Sequence, residues 1–247
     1  MERYLDRIIN GDSYLVMEEM IQNKITVDLF ITDPPYNISD KNKLTVVGQQ
    51  AKSTKEAWGN QFKDEWNSIE EYSDWLLERV SMMYKLLSKD GQIIIFIDRN
   101  YSGLFIREIE KSTDFIFRNK LYFEKNNPLP HFRKTNYRST IEEAMWFTKS
   151  KDYTFNFGEQ SDMKQLFKGN IGKKDTTHPT EKYKWMIYPI ILNHSKDGDV
   201  ILDPFAGSGT TAICCKELKR HYIAIELNKE FFDLIINRQN ESCNLLF

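Results

Sequence analysis

Three cysteines are all that this chain of 247 residues carries, and Cys214, Cys215 and Cys243 show neither zinc-ligand spacing nor a paired framework. A disulfide scaffold is excluded, no metal is expected, and the adjacent pair, set in an amphipathic helical pattern, reads as buried thiols. No uninterrupted apolar run reaches membrane-spanning length, and the first residues, Met1-Glu2-Arg3-Tyr4-Leu5-Asp6-Arg7, are too charged to begin a signal peptide. A cytoplasmic protein without a membrane partner is expected. An excess of one charge is also missing: 34 Lys and Arg against 36 Asp and Glu give no global attraction to a polyanion, so a nucleic-acid partner would need a local basic face. There are no internal repeats and no low-complexity segment.

What is present is the composition of an ordinary globular protein, 28% charged and 40% hydrophobic, long enough for one large core. A single domain over residues 1–247 is expected. Val27 to Thr32 reads as a core strand, residues 69–87 as a helix with Tyr72, Leu76, Val80, Met83 and Leu87 on one side, and Gln92 to Ile97 as a second buried strand. A short helix near 104–110 and strands near 115–123 and 143–148 follow. Residues 37–63 are polar and aperiodic, which predicts a mobile loop, and 158–179 is expected to be irregular. A helix near 181–193 then leads to a strand at 200–202, a glycine loop, a helix near 209–218, a strand at 222–225 and a helix near 229–238. This βαβα run, joined to the first strand, predicts an α/β fold with a doubly wound, mostly parallel sheet.

Asp203-Pro204-Phe205-Ala206-Gly207-Ser208-Gly209-Thr210-Thr211 joins an apolar strand to a helix. Glycines two apart let the backbone turn tightly and approach a ligand closely. The third glycine of the dinucleotide pattern is replaced by Ala212, and no Walker-type Gly-Lys-Ser/Thr follows, which argues against an ATPase. Glu226 closes the next strand, where a carboxylate can accept from both hydroxyls of a ribose, so a nucleoside cofactor is implied. By themselves the two glycines could equally mark a tight turn.

A second signal decides between these readings. Asp33-Pro34-Pro35-Tyr36 follows the first core strand, and the proline after Asp33 holds that aspartate out of helix, at the strand's carboxyl end. An aromatic amine is a poor nucleophile because its lone pair is delocalised into the ring. Asp33 and the Pro34 carbonyl offer two fixed acceptors for its two N–H groups, which aligns the nitrogen for methyl transfer from a sulfonium. Tyr36 offers a stacking surface for a base taken out of a duplex.

With both motifs in this order, the sequence resembles the beta group of bacterial DNA amino-methyltransferases, in which the catalytic motif precedes the cofactor motif. The resemblance runs over roughly residues 8–240 and leaves no room for an additional carboxyl-terminal DNA-binding domain. It implies a Rossmann-like fold with permuted motif order, S-adenosyl-L-methionine as cofactor, and Asp33, Pro34, Pro35 and Tyr36 as the catalytic set. Gly11-Asp12-Ser13 resembles the family's amino-terminal element, and His178-Pro179-Thr180-Glu181-Lys182 the element holding the methionine end, with Tyr183 in place of the usual proline. The implied cofactor site is Asp12, Ser13, Asp33, Thr180, Lys182, Asp203, Phe205, Ala206, Gly207, Ser208, Gly209, Thr210, Glu226 and Asn228. An aspartate at position 33 goes with adenine N6 in these relatives, and a serine more often with cytosine N4.

Six Lys and Arg residues against one acid, Glu124, between Arg118 and Arg138 supply a local basic excess for double-stranded DNA. Lys125, His131, Arg133, Lys134, Asn136 and Arg138 are the expected DNA contacts, within recognition insertions at about 124–140 and 158–178. Lys41, Lys43, Lys52 and Lys55 are candidates to close over DNA or cofactor. A homodimer and a cognate restriction endonuclease stay open as partners. Cytosine N4, RNA or protein as substrate, and a non-catalytic DNA-binding protein stay open as alternatives.

Overall fold

The computed structural model describes residues 1–37, 44–47, 50–53, 64–131, 134–172, 176, 178 and 180–244. In chain order the elements are β1 (Arg7–Asn10), α1 (Ser13–Gln22), β2 (Val27–Thr32), β3 (Leu44–Val47), β4 (Gln50–Ser53), α2 (Ile69–Leu86), β5 (Leu87–Ile97), α3 (Ser102–Ser112), β6 (Ile116–Lys125) and β7 (Ile141–Thr148). They continue with β8 (Leu166–Gly169), α4 (Lys184–His194), β9 (Val200–Asp203), α5 (Thr210–Glu217), β10 (His221–Glu226) and α6 (Lys229–Asn244). Eight strands form one sheet in the order β1-β10-β9-β2-β5-β7-β6-β8. Only β7 runs antiparallel to its neighbours, as the expected mostly parallel, doubly wound sheet requires.

Strands covered on both faces need apolar side chains at every position, and the central strands have them. In β5, Ile93, Ile95 and Ile97 face one layer and Ile94 and Phe96 the other. The first layer packs on Met17 and Met20 of α1, Tyr72, Leu76 and Val80 of α2, and Phe105 and Ile109 of α3. The second packs on Met186, Ile187 and Ile190 of α4 and on Ala212, Cys214 and Cys215 of α5. Burial pushes the Cys214 thiol up to about 12, so it stays an inert core group.

Several expectations need correction. Leu87 opens β5 rather than closing the helix before it. Before β2 the chain also forms β1 and α1, elements the sequence reading did not include, and Asp12 caps α1 by accepting from the backbone N–H of Tyr14 and Leu15. Residues 37–63, expected to be aperiodic, contain an antiparallel ladder in which Leu44–Val47 pairs with Gln50–Ser53. Of the rest of that predicted loop only Asn37 is described, and Lys41, Lys43 and Lys55 lie outside the described residues. The stretch read as irregular at 158–179 contains β8, an edge strand too short to show alternation, anchored where Phe167 stacks on Phe123. Tyr183 does not begin the helix: it sits just before α4 with φ −83°, close to what the usual proline would impose.

Gly169 ends β8 directly beneath Trp185 of α4, and a Cβ there would lie 2.2 Å from the indole ring. Gly169→Ala is therefore expected to displace the ring and cost about 1–3 kcal/mol, read as a lower midpoint in urea unfolding; an unchanged midpoint would show that Trp185 yields freely.

Candidate active site

β2 and β9 are parallel neighbours, with Leu29 beside Ile201 and Phe30 beside Leu202. Their carboxyl ends therefore open side by side, at the switch point of the sheet, where open α/β folds bind ligands. A cleft of about 770 Å3 lies there. Among its walls are Asp12, Ser13, Asp33, Pro34, Pro35, Tyr36, Thr180, Lys182, Asp203, Phe205, Ala206, Gly207, Ser208, Thr210 and Glu226. Two expected members stand behind the wall. Gly209 packs against Ile235, and Asn228 caps α6 by accepting from the backbone N–H of Glu230 and Phe231.

The glycine loop needs its glycines. Gly207 and Gly209 hold φ of +52° and +76°, a left-handed region that L side chains rarely enter, and a Cβ on Gly209 would lie 2.5 Å from Ile235. The turn carries the Gly207 N–H to the Glu226 carboxylate at 2.8 Å, while the Asn228 N–H reaches its other oxygen at 2.7 Å. The Leu227 N–H adds a third backbone hydrogen bond to this carboxylate, which lines the cleft. Asp203 accepts from the Phe205 N–H at 3.1 Å. Burial first, with the nearby charges of Asp33 and Glu226, raises its carboxyl to about 7 against the opposing Thr211 hydrogen bond.

The Asp33-Pro34-Pro35-Tyr36 turn is held from the start of α2. The Tyr72 hydroxyl donates to the Pro35 carbonyl at 2.8 Å, Asp64 accepts from the Asn37 N–H at 2.7 Å, and Asn37 Oδ1 accepts from the Trp66 N–H at 2.9 Å. The Tyr36 hydroxyl donates to Asp33 Oδ1, and Lys182 Nζ lies 2.5 Å from Asp33 Oδ2. Burial raises the Asp33 carboxyl, opposed by Lys182. Lys182 also reaches Glu142 at 3.1 Å, and Glu142 pairs with Lys125 at 2.6 Å. Sequence reasoning missed Glu142, whose neighbour Glu143 was the first residue of the expected strand. It also missed Trp75, whose ring lies 5.6 Å from that of Phe205, with the Arg79 guanidinium 4.3 Å from its ring centroid.

Residues 27–237 match the family model of the N6/N4 DNA methylases. The chain belongs to this family. It is 29% identical to the type II methyltransferase M.HinfI of Haemophilus influenzae, across 96% of this chain and 69% of that protein. It is likewise 29% identical to M2.LlaDCHI of Lactococcus lactis subsp. cremoris, across 95% and 89%. The crystal structure of the M1.HpyAVI–SAM complex superimposes with a TM-score of 0.75 at 27% identity, covering 95% of this chain and 98% of that one.

The methyl donor of this DNA methylase is S-adenosylmethionine. Its cleft suits that molecule: Asp33, Asp203 and Glu226 crowd three carboxyl groups into a desolvated space, and a ligand carrying an ammonium and a sulfonium relieves their repulsion. The aromatic wall of Phe205 and Trp75 suits a planar ring.

The expected DNA contacts scatter more widely. Lys125, His131 and Arg138 line the cleft, whereas Lys134 and Asn136 are exposed outside it, and Arg133 lies outside the described residues. Of the basic run, Arg118 braces Thr148 and Ser150, Lys120 pairs with Glu143, and Arg138 donates to the Pro128 and Leu129 carbonyls. Asn127 bonds both the N–H and the carbonyl of Ile171, which stitches the 124–140 and 158–172 segments together on one side of the cleft.

The raised Asp203 carboxyl has a consequence for stability. Unfolded, an aspartate ionises near 3.8; folded, Asp203 holds its proton up to about 7. Between these values the native state binds the extra proton, so this group's contribution to stability falls as pH rises from about 4 to 7. Asp203→Asn is expected to flatten that decline in thermal melts of the cofactor-free protein; parallel pH profiles of the two proteins would contradict the assignment.

Proposed function

We propose that this enzyme methylates the exocyclic N6 of adenine in duplex DNA, with residues 1–247 acting as one catalytic domain. The observation that carries the reading is the adjacency of the Asp33-Pro34-Pro35-Tyr36 turn and the glycine loop at the ends of paired strands β2 and β9. S-adenosylmethionine, when bound, supplies a methyl group activated by its positive sulfur. Glu226 serves the ribose hydroxyls, Phe205 the adenosine, and Asp203 with Thr180 the methionine end.

The target base leaves the duplex and stacks on Tyr36. Asp33 accepts one N–H of its amine and the Pro34 carbonyl the other, which pulls the nitrogen toward tetrahedral geometry. The upward shift of the Asp33 carboxyl suits it to take the proton that nitrogen gives up as it becomes a secondary amine. The pairing of Pro35 with Tyr72 keeps these acceptors fixed during the transfer. An aspartate rather than a serine at position 33 favours adenine over cytosine.

The segments 124–140 and 158–178 are the DNA-reading insertions of this proposal. His131 and Asn136 supply base-edge contacts, and Lys134 a phosphate contact. The cleft supports a base pocket between Tyr36 and His131.

Incubation with methyl-labelled S-adenosylmethionine and unmethylated duplex DNA, followed by nucleoside analysis, is expected to place label in N6-methyladenine. Asp33→Ala should lower the rate at least about a hundredfold. Label in N4-methylcytosine would overturn the choice of base, and none in DNA the choice of substrate. Lys134→Gln should weaken DNA binding several-fold and reduce the slope of log affinity against log salt by about 0.9, with cofactor affinity unchanged; an unaltered slope would remove Lys134 from the interface.

A further inference from the structure

Both oxygens of Asp33 are taken. Lys182 Nζ holds Oδ2 at 2.5 Å, and the Tyr36 hydroxyl holds Oδ1. A target amine that donates to Asp33 competes with both of them for its oxygens. The ammonium is the stronger competitor, because a charge-assisted contact outweighs a neutral one. It is also the costlier to displace: the Lys182 side chain is 12% exposed, and an ammonium pushed off its carboxylate in such a place is left desolvated and unpaired.

Glu142 removes that penalty. It projects from β7 into the same cleft, 3.1 Å from Lys182 Nζ, and its other oxygen is fixed by Lys125 of β6 at 2.6 Å. The four side chains alternate in sign, Lys125, Glu142, Lys182, Asp33, and come from two adjacent strands, the stretch before α4 and the end of β2. A lysine stem between two carboxylates can move its ammonium from one to the other by side-chain rotation alone.

We propose that Glu142 is a positioning residue that receives the Lys182 ammonium when the target amine reaches Asp33, so that the acceptor is opened without stranding a charge. The proposal rests on Asp33 as the amine acceptor. Lys182 keeps its three protons throughout, and no covalent bond changes in the exchange. Burial pushes the Glu142 carboxyl up, but the two flanking ammonium groups outweigh it and hold the group down to about 2, so it is ionised near neutral pH. Lys125 in turn keeps Glu142 from following the ammonium toward Asp33.

The test is single-turnover methyl transfer by the full chain with S-adenosylmethionine and duplex DNA, alongside cofactor binding by titration. Glu142→Gln keeps the shape and an acceptor oxygen but loses the charge. It is expected to slow transfer at least about tenfold while the cofactor dissociation constant changes less than about threefold. Glu142→Asp, which retracts the carboxylate but keeps its charge and preserves the pair with Lys125 in kind, should fall between it and the wild type. It serves as the readout should Glu142→Gln fail to fold. In a Lys182→Met background there is no ammonium to receive, so the further effect of Glu142→Gln should vanish. Full-rate transfer by both Glu142 variants would overturn the proposal. So would an equal loss from Glu142→Gln in both backgrounds, which would place Glu142 in direct contact with DNA. Transfer by the wild type in the same assay separates failure of this device from failure of the underlying reading.

Discussion

The parallel pairing of β2 with β9 is the constraint on which the site depends. These strands belong to opposite ends of the chain, yet the register of Leu29 with Ile201 and Phe30 with Leu202 brings their carboxyl ends level. Each strand then ends in Asp-Pro, Asp33-Pro34 and Asp203-Pro204, and proline after an aspartate keeps the backbone extended at that point. Two carboxylates are thereby fixed at one crevice. The motif order along the chain is immaterial to this geometry, since β1 simply closes the far edge of the sheet beside β10.

Crowding carboxylates in a buried cleft carries a cost, and the structure distributes it. Glu226 is held by the backbone N–H groups of Gly207 and Asn228, Asp33 by Lys182 and Tyr36, and Asp203 shifts up to about 7. The site is poised for cations: the Lys182 ammonium rests on Asp33, and the carboxyls of Asp203 and Glu226 line the same cleft. Opposite sides of one cleft thus differ in how their charge is balanced, with fixed internal ion pairs toward β6 and β7 and unbalanced carboxyls toward β9 and β10.

α2 ties the two halves together. Its buried face, Tyr72, Leu76, Val80 and Met83, is core by any periodicity argument. The same helix also presents Tyr72 Oη to the Pro35 carbonyl and Trp75 to Phe205. Packing and site support come from successive turns of one element, so the rigidity of the Asp33-Pro34-Pro35-Tyr36 turn is inherited from the core rather than supplied by the turn itself.

The sequence by itself determined the class of fold and the chemistry at the strand ends. Proline and glycine act on their own backbone, and runs such as Val27 to Thr32 declare strands buried on both faces, so Asp33-Pro34-Pro35-Tyr36 and the loop from Asp203 to Thr211 are legible without neighbours. Tertiary structure decided what depends on which distant residues meet. The β8 strand exists because β6 offers an edge and Phe123 a stacking partner. Glu142 joins the site because β7 lies antiparallel between β5 and β6. The basic run from Arg118 to Arg138 looked like one DNA-facing patch, but Arg118, Lys120 and Lys125 turn inward to carboxylates, hydroxyls or carbonyls while Lys134 faces solvent. Counting charges along a strand cannot reveal this, because alternate side chains point to opposite faces and their partners come from other strands.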